Sequence, residues 1–228
     1  MICLHESDAT CGVGDLVKRS IREVSKRVCS GDVTLDPGCY IVVMHSLKSF
    51  TRRELPMDAS LVIHCSRPLA CEAIRCTPEM AAHSLISVAT KGGVVRHYEN
   101  KHVITYTVAK EFGGLMVVVR NEMKKKHLHV WSDLTLSKNV LSSRSALLLK
   151  DSVPPQSMQL LFIVTHDDAS HGYHADCHLA VSAHGSPSLP RDWRGDGEAW
   201  DGVIEHVPSF EDVACESFHG PKRFPIEK

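Results

Sequence analysis

Residues 114–134 read GLMVVVRNEMKKKHLHVWSDL, and the fold class turns on this stretch. Two short apolar runs, GLMVVVRN and LHVWSDL, flank the polar Asn121, Glu122, Lys124, Lys125 and Lys126. The run lengths suit strands, and the polar residues between them predict a hairpin tip. Similar Val- and Ile-rich runs recur outward from it: CYIVVMHS, SLVIHCS, EAIRCT, VVRHYE and HVITYTV before, and ALLLKDSV, MQLLFIVTH and DCHLAVSA after. Many short runs at near-regular spacing predict a mainly β protein, an antiparallel sandwich or barrel. Turn residues agree: Asp36-Pro37-Gly38 enters one run, Gly113-Gly114 opens another, and Pro154-Pro155 breaks a ladder at a strand start or edge.

One segment departs from this period. Thr77 suits an N-cap, Pro78 the first helical position and Glu79 the positive end of the dipole, while Gly92 or Gly93 ends the segment. Ala81, Leu85, Val88 and Ala89 share one stripe, so residues 78–91 are expected to form one amphipathic helix covering the sheet. Three parts follow: an N-terminal segment, 1–28, including the charged, helical or irregular GDLVKRSIREVSKRV; the sandwich, 29–185; and a Pro- and Gly-rich, poorly ordered tail, 186–228.

Acidic and basic residues nearly cancel, 27 against 26, so no global charge draws the chain to nucleic acid. Nine cysteines without a CxxC pair suit reduced thiols in the cytoplasm. No apolar run reaches the roughly 20 residues of a transmembrane helix.

Residues 166–178, HDDASHGYHADCH, hold the densest set of ligand-type side chains. His171, His174 and His178 are spaced as candidate zinc ligands, with Cys177 nearby. Cys177 and His178 would point to opposite faces of a strand, so a polar loop between strands is the favoured reading and no cofactor is expected. DWRGDGEAWDGV imitates a calcium loop but has Arg194 at the third position and Val203 at the twelfth. Lys124, Lys125, Lys126 and His127 form the densest basic patch, a candidate contact for an acidic lipid or protein partner and otherwise a solvated tip.

Residues 21–50, with Arg22-Glu23-Val24-Ser25, Leu35, Pro37, Gly38 and Tyr40-Ile41-Val42-Val43, resemble the calpain β-sandwich; a calpain would usually have Glu at Cys39. Residues 104–164 are similar to the C-terminal homology domain of the small-optic-lobes branch of calpains, the calpain fifteen type. Gly114, Leu115, Val117 to Val119, Asn121, Leu128 to Val130, Asn139, Val140, Ser142, Arg144, Asp151 to Pro155 and Gln159 carry that resemblance. The family's members are intracellular cysteine endopeptidases with a Cys, His and Asn triad in an upstream domain. Here no cysteine precedes Trp, no Asn-Pro-Trp occurs, and Gly172-Tyr173-His174-Ala175 only partly echoes the family's Gly-His-Ala. No catalytic residue is carried over. The resemblance implies a noncatalytic regulatory or interaction domain of such an enzyme, partnered by its upstream protease domain. The alternative is a free-standing module that binds a protein partner or acidic lipid.

Overall fold

The computed structural model describes residues 1–7, 12–20, 32–46, 60–98, 102–109, 113–168, 170–186 and 218–223. They form three antiparallel sheets and one helix. In the N-terminal sheet, β1 (Ile2–Glu6) lies between β2 (Leu16–Arg19) and β3 (Tyr40–Met44). The helix α1 (Pro78–Gly92) follows, and then the central sheet begins with β4 (Val94–His97), β5 (Val103–Val108) and β6 (Gly114–Asn121). It is completed by β8 (Val140–Ser142), β10 (Ser157–His166) and β12 (Lys222–Arg223), in the order β12-β10-β6-β5-β4 with β8 also on β10. An outer sheet has β7 (His127–Asp133) between β11 (His178–His184) and β9 (Leu148–Val153).

The middle strands of the central sheet, β5, β6 and β10, are buried on both faces, which is why they read as nearly unbroken apolar runs. In β6, Met116 and Val118 enter a core shared with Leu85, Val88 and Ala89 of α1. Leu115, Val117 and Val119 enter a second core, shared with Leu128, Val130, Leu149 and Val153 of the outer sheet. A bulge in β10 keeps these faces in phase. Leu160 pairs Val118 and Phe162 pairs Val117, so Leu161 is the extra residue. Leu161 and Phe162 therefore both enter the second core, while Ile163 returns to the first.

The helix forms where the capping residues place it. Thr77 Oγ1 accepts from the Met80 amide at 3.2 Å, Pro78 and Glu79 start the first turn, and the predicted stripe is buried. The mainly β fold with one covering helix is thus present.

Several local expectations are corrected. Asn121 to His127 is not a hairpin, because β6 and β7 belong to different sheets; it arches across the sandwich. Asn121 shapes the arch by donating from Nδ2 to the carbonyls of Lys126, Val153 and Pro154 at 2.9–3.0 Å. The connection from β10 to β11 crosses between sheets in the same way. Leu16–Arg19, expected helical or irregular, is an edge strand, since pairing to β1 outweighs its charges. SLVIHCS and EAIRCT, expected as strands, have no regular secondary structure and are exposed.

β1 and β3 pair across the boundary expected at 28/29. Within the segment read as a tail, Phe218 and His219 are buried and β12 pairs with β10. Arg22 to Ser25, the calcium-like loop and most of 186–228 lie outside the described residues.

Candidate functional site

Strand register separates the two patches singled out from the sequence. His127 lies level with His184 and Leu128 with Val153, so Lys124 to His127 sit where β6 ends and β10 begins. Asp133 lies level with His178, and His166 with Val140, so the histidine-rich connection is at the opposite end of the sandwich. One end is basic and the other is histidine-rich.

At the basic end, Lys124, Lys125 and Lys126 are exposed and make no ion pair among the described residues. The nearby acid, Glu122, is held by Arg120 at 2.9 Å. His127 is half-buried beside a histidine stack in which the rings of His129 and His184 are 4.4 Å apart. Burial, then His184 and His127, holds His129 down at about 4.

At the other end, Asn139 organises the loop. Its Nδ2 donates to the carbonyls of Asp168, His171 and Gly172 at 2.9, 3.1 and 3.2 Å, and its Oδ1 accepts from the Asp168 amide at 2.9 Å. Those carbonyl oxygens surround an amide nitrogen as they would a cation. The three candidate histidines stay apart. His171 Nδ1 faces Asp168 at 2.8 Å, His174 joins Lys138 through backbone bonds, and His178 meets the edge of Trp131. Among the described residues no three His, Cys, Asp or Glu side chains form a metal-holding group. Burial, with Asp176 and Asp133, pushes the Cys177 thiol up to about 12.

A third cluster joins residues that no spacing in the sequence connects. His5 of β1 and His45 just after β3 both point at Ser84 of α1, with Nε2 to Oγ distances of 2.8 and 2.9 Å. His5 Nδ1 donates to the Gly14 carbonyl at 3.2 Å. In neutral His5 that bond leaves Nε2 bare, so Nε2 accepts the one Ser84 proton. His45 Nε2 must then donate to Ser84 Oγ. Burial holds His5 below its ordinary value and His45 down at about 3.

A hydroxyl, a basic nitrogen and a carbonyl that orients the ring are the parts of an activated nucleophile. Here Ser84 and His5 are completely buried and His45 nearly so, and no substrate reaches them. Cys3 beside them is pushed up to about 11, chiefly by burial, and stays a neutral thiol. The cluster instead fastens the N-terminal sheet to the helix.

A fourth cluster lies between the central and outer sheets. Arg144 Nη1 is 2.7 and 2.6 Å from the two oxygens of Asp151, and Gln159 Nε2 of β10 donates to Asp151 Oδ1 at 2.8 Å. Arg144, Asp151, Gln159, Asn121 and Asn139 all belong to the residues on which the family resemblance rests. Each holds a connection or a sheet interface, and none presents reactive chemistry to solvent.

No helix among the described residues is long and apolar enough to cross a membrane. No solved structure matches the chain. Residues 88–186, from the end of α1 through the central and outer sheets, match the family described as Calpain-D-like, C-terminal domain, and over that span the chain is similar to a calpain C-terminal domain.

Proposed function

We propose that this chain acts as a noncatalytic C-terminal regulatory or interaction module of a calpain-type cysteine endopeptidase of the small-optic-lobes branch. The family match over 88–186 is the observation that carries this reading. The buried clusters at Ser84 and Asp151 are consistent with it, because they tie sheets and loops together. Peptide-bond hydrolysis then belongs to the upstream protease domain of the parent. The module packs beside that domain or docks substrates for it, in the cytoplasm, with 29–185 as the sandwich and the flanking segments as appendages.

Peptides from 114–121 and 148–159 should be detected by mass spectrometry in a cell-lysate species much larger than this chain, together with papain-like protease peptides. Thiol-dependent cleavage of a calpain substrate by purified residues 1–228 would overturn the reading.

Lys124 to Lys126, exposed and in no ion pair among the described residues, favour a second one: a free-standing module whose basic end holds an acidic protein or lipid surface. Such binding weakens with salt, and its absence from anionic vesicles at low ionic strength removes the lipid form.

A further inference from the structure

The edge of β10 that faces away from β6 is shared by two strands. β8 takes its far end, at Val164 to His166, and β12 takes its start, at Ser157 and Met158. Residues 218–223 reach this edge as a short docked segment. Phe218 is 9% exposed and enters the core that holds Leu85, Leu160 and Ile163. His219 is 3% exposed, and its Nδ1 donates at 3.0 Å to the carbonyl of Leu160, where β10 bulges. Lys222 and Arg223 then pair with Met158 and Ser157. Burial holds Lys222 below its ordinary value, and the Glu79 carboxylate of α1 partly offsets this.

An aromatic side chain in an apolar slot beside a short run of strand pairing is how extended peptides are bound at sheet edges. The segment is also separate from the sheet that it completes. The family match ends at residue 186, so the matched span contains the groove but not residues 218–223. The segment's ladder with β10 is two residue pairs long, against eight between β10 and β6, and Pro221 has no N–H with which to extend it. His219 Nε2 is buried without a hydrogen-bond partner, a cost that release into water would relieve. Detaching 218–223 leaves the pairing of β10 with β6 and β8 in place. Short, weakly paired segments of this kind open locally, before the whole structure unfolds.

We propose that this edge of β10 is a peptide-docking groove and that residues 218–223 are its exchangeable occupant in cis. The ligand it takes is an extended peptide with an aromatic residue, a histidine next to it and a base four positions after the aromatic. Release of the segment opens the groove to such a peptide, and its return closes the groove.

A fluorescent synthetic peptide of residues 216–225, added to the full 228-residue chain, tests this. Phe218→Ser in the full chain weakens the cis occupant and leaves the groove residues unchanged. The peptide should bind that variant about tenfold or more tightly than the unchanged chain, because its own phenylalanine refills the slot. A peptide carrying the same substitution should bind neither chain. Hydrogen exchange in the unchanged chain reads the release independently: 218–223 should open about tenfold or more often than 114–121 and 158–165.

No binding to folded Phe218→Ser, equal binding to both chains, or equal binding of the substituted peptide overturns the proposal. So does exchange at 218–223 that occurs only together with the sheet. Protection at 218–223 that rises with protein concentration would seat the segment on a second copy and overturn the assignment in cis.

Discussion

Arg144 and Asp151 form a bidentate ion pair inside the sandwich, with side chains 6% and 0% exposed. Removing one member leaves the other charge in the interior, which costs about 3–5 kcal/mol, whereas the intact pair adds little over apolar residues of equal volume. Asp151→Ala and Arg144→Ala should each lower stability by about that amount in urea unfolding. The double variant should cost clearly less than the sum. Additive losses would mean that the two charges are not coupled.

Acid should loosen this protein. His45 and His219 are held at about 3 and His129 at about 4, chiefly by burial, against an ordinary 6.5. The folded state thus disfavours the protonated rings. Their contribution is fully present above pH 6.5 and is lost as pH falls through 6.5 toward those lower values, by about 1.4 kcal/mol per pH unit for each ring. Cys3 works at the other limit. Burial raises its thiol from 9.0 to about 11, so its contribution is present below pH 9 and is lost as pH rises toward 11. Urea midpoints should be highest between about pH 7 and 9, and equal midpoints at pH 7.5 and 4.5 would contradict this.

Asn139 should govern the histidine-rich loop. It sits at φ 55°, a conformation Asn tolerates better than most residues, and its side chain makes the four bonds that hold 168–172. Asn139→Ala loses the bonds and adds backbone strain; Asn139→Gly loses the bonds alone. Both should speed hydrogen exchange over 167–174, with Asn139→Ala the less stable of the two. Unchanged exchange in both variants would show that the loop is held by something else.

The layers between residues 78 and 184 were largely legible because their signals are local. Thr77, Pro78 and the Ala81 to Ala89 stripe define the helix, and the Val-rich runs define the strands. Layer assignment was not legible: an arch and a hairpin have equally short polar linkers, and only the Asn121 bonds to Val153 and Pro154 separate them. SLVIHCS was misread because an apolar run does not reveal whether a neighbouring strand exists. The Ser84 cluster was invisible because His5 and Ser84 are 79 residues apart and meet only through packing.

Gly114 tests the closest approach within the central sheet. A β-carbon there would overlap the Val164 carbonyl oxygen, a main-chain atom of β10 that cannot swing aside. Gly114 pairs with Thr165 at the start of the β6–β10 ladder, which places Leu115 opposite Val164 and Val117 opposite Phe162. Added volume at this point must separate the strands, so the damage reaches both cores. Gly114→Ala should cost about 3 kcal/mol or more. Gly172→Ala serves as its control, since a β-carbon there meets nothing within 4 Å. The two variants differ from the protein by one methyl group each, and a wide gap between their urea midpoints is expected. Equal midpoints would mean that β6 and β10 are not in this register.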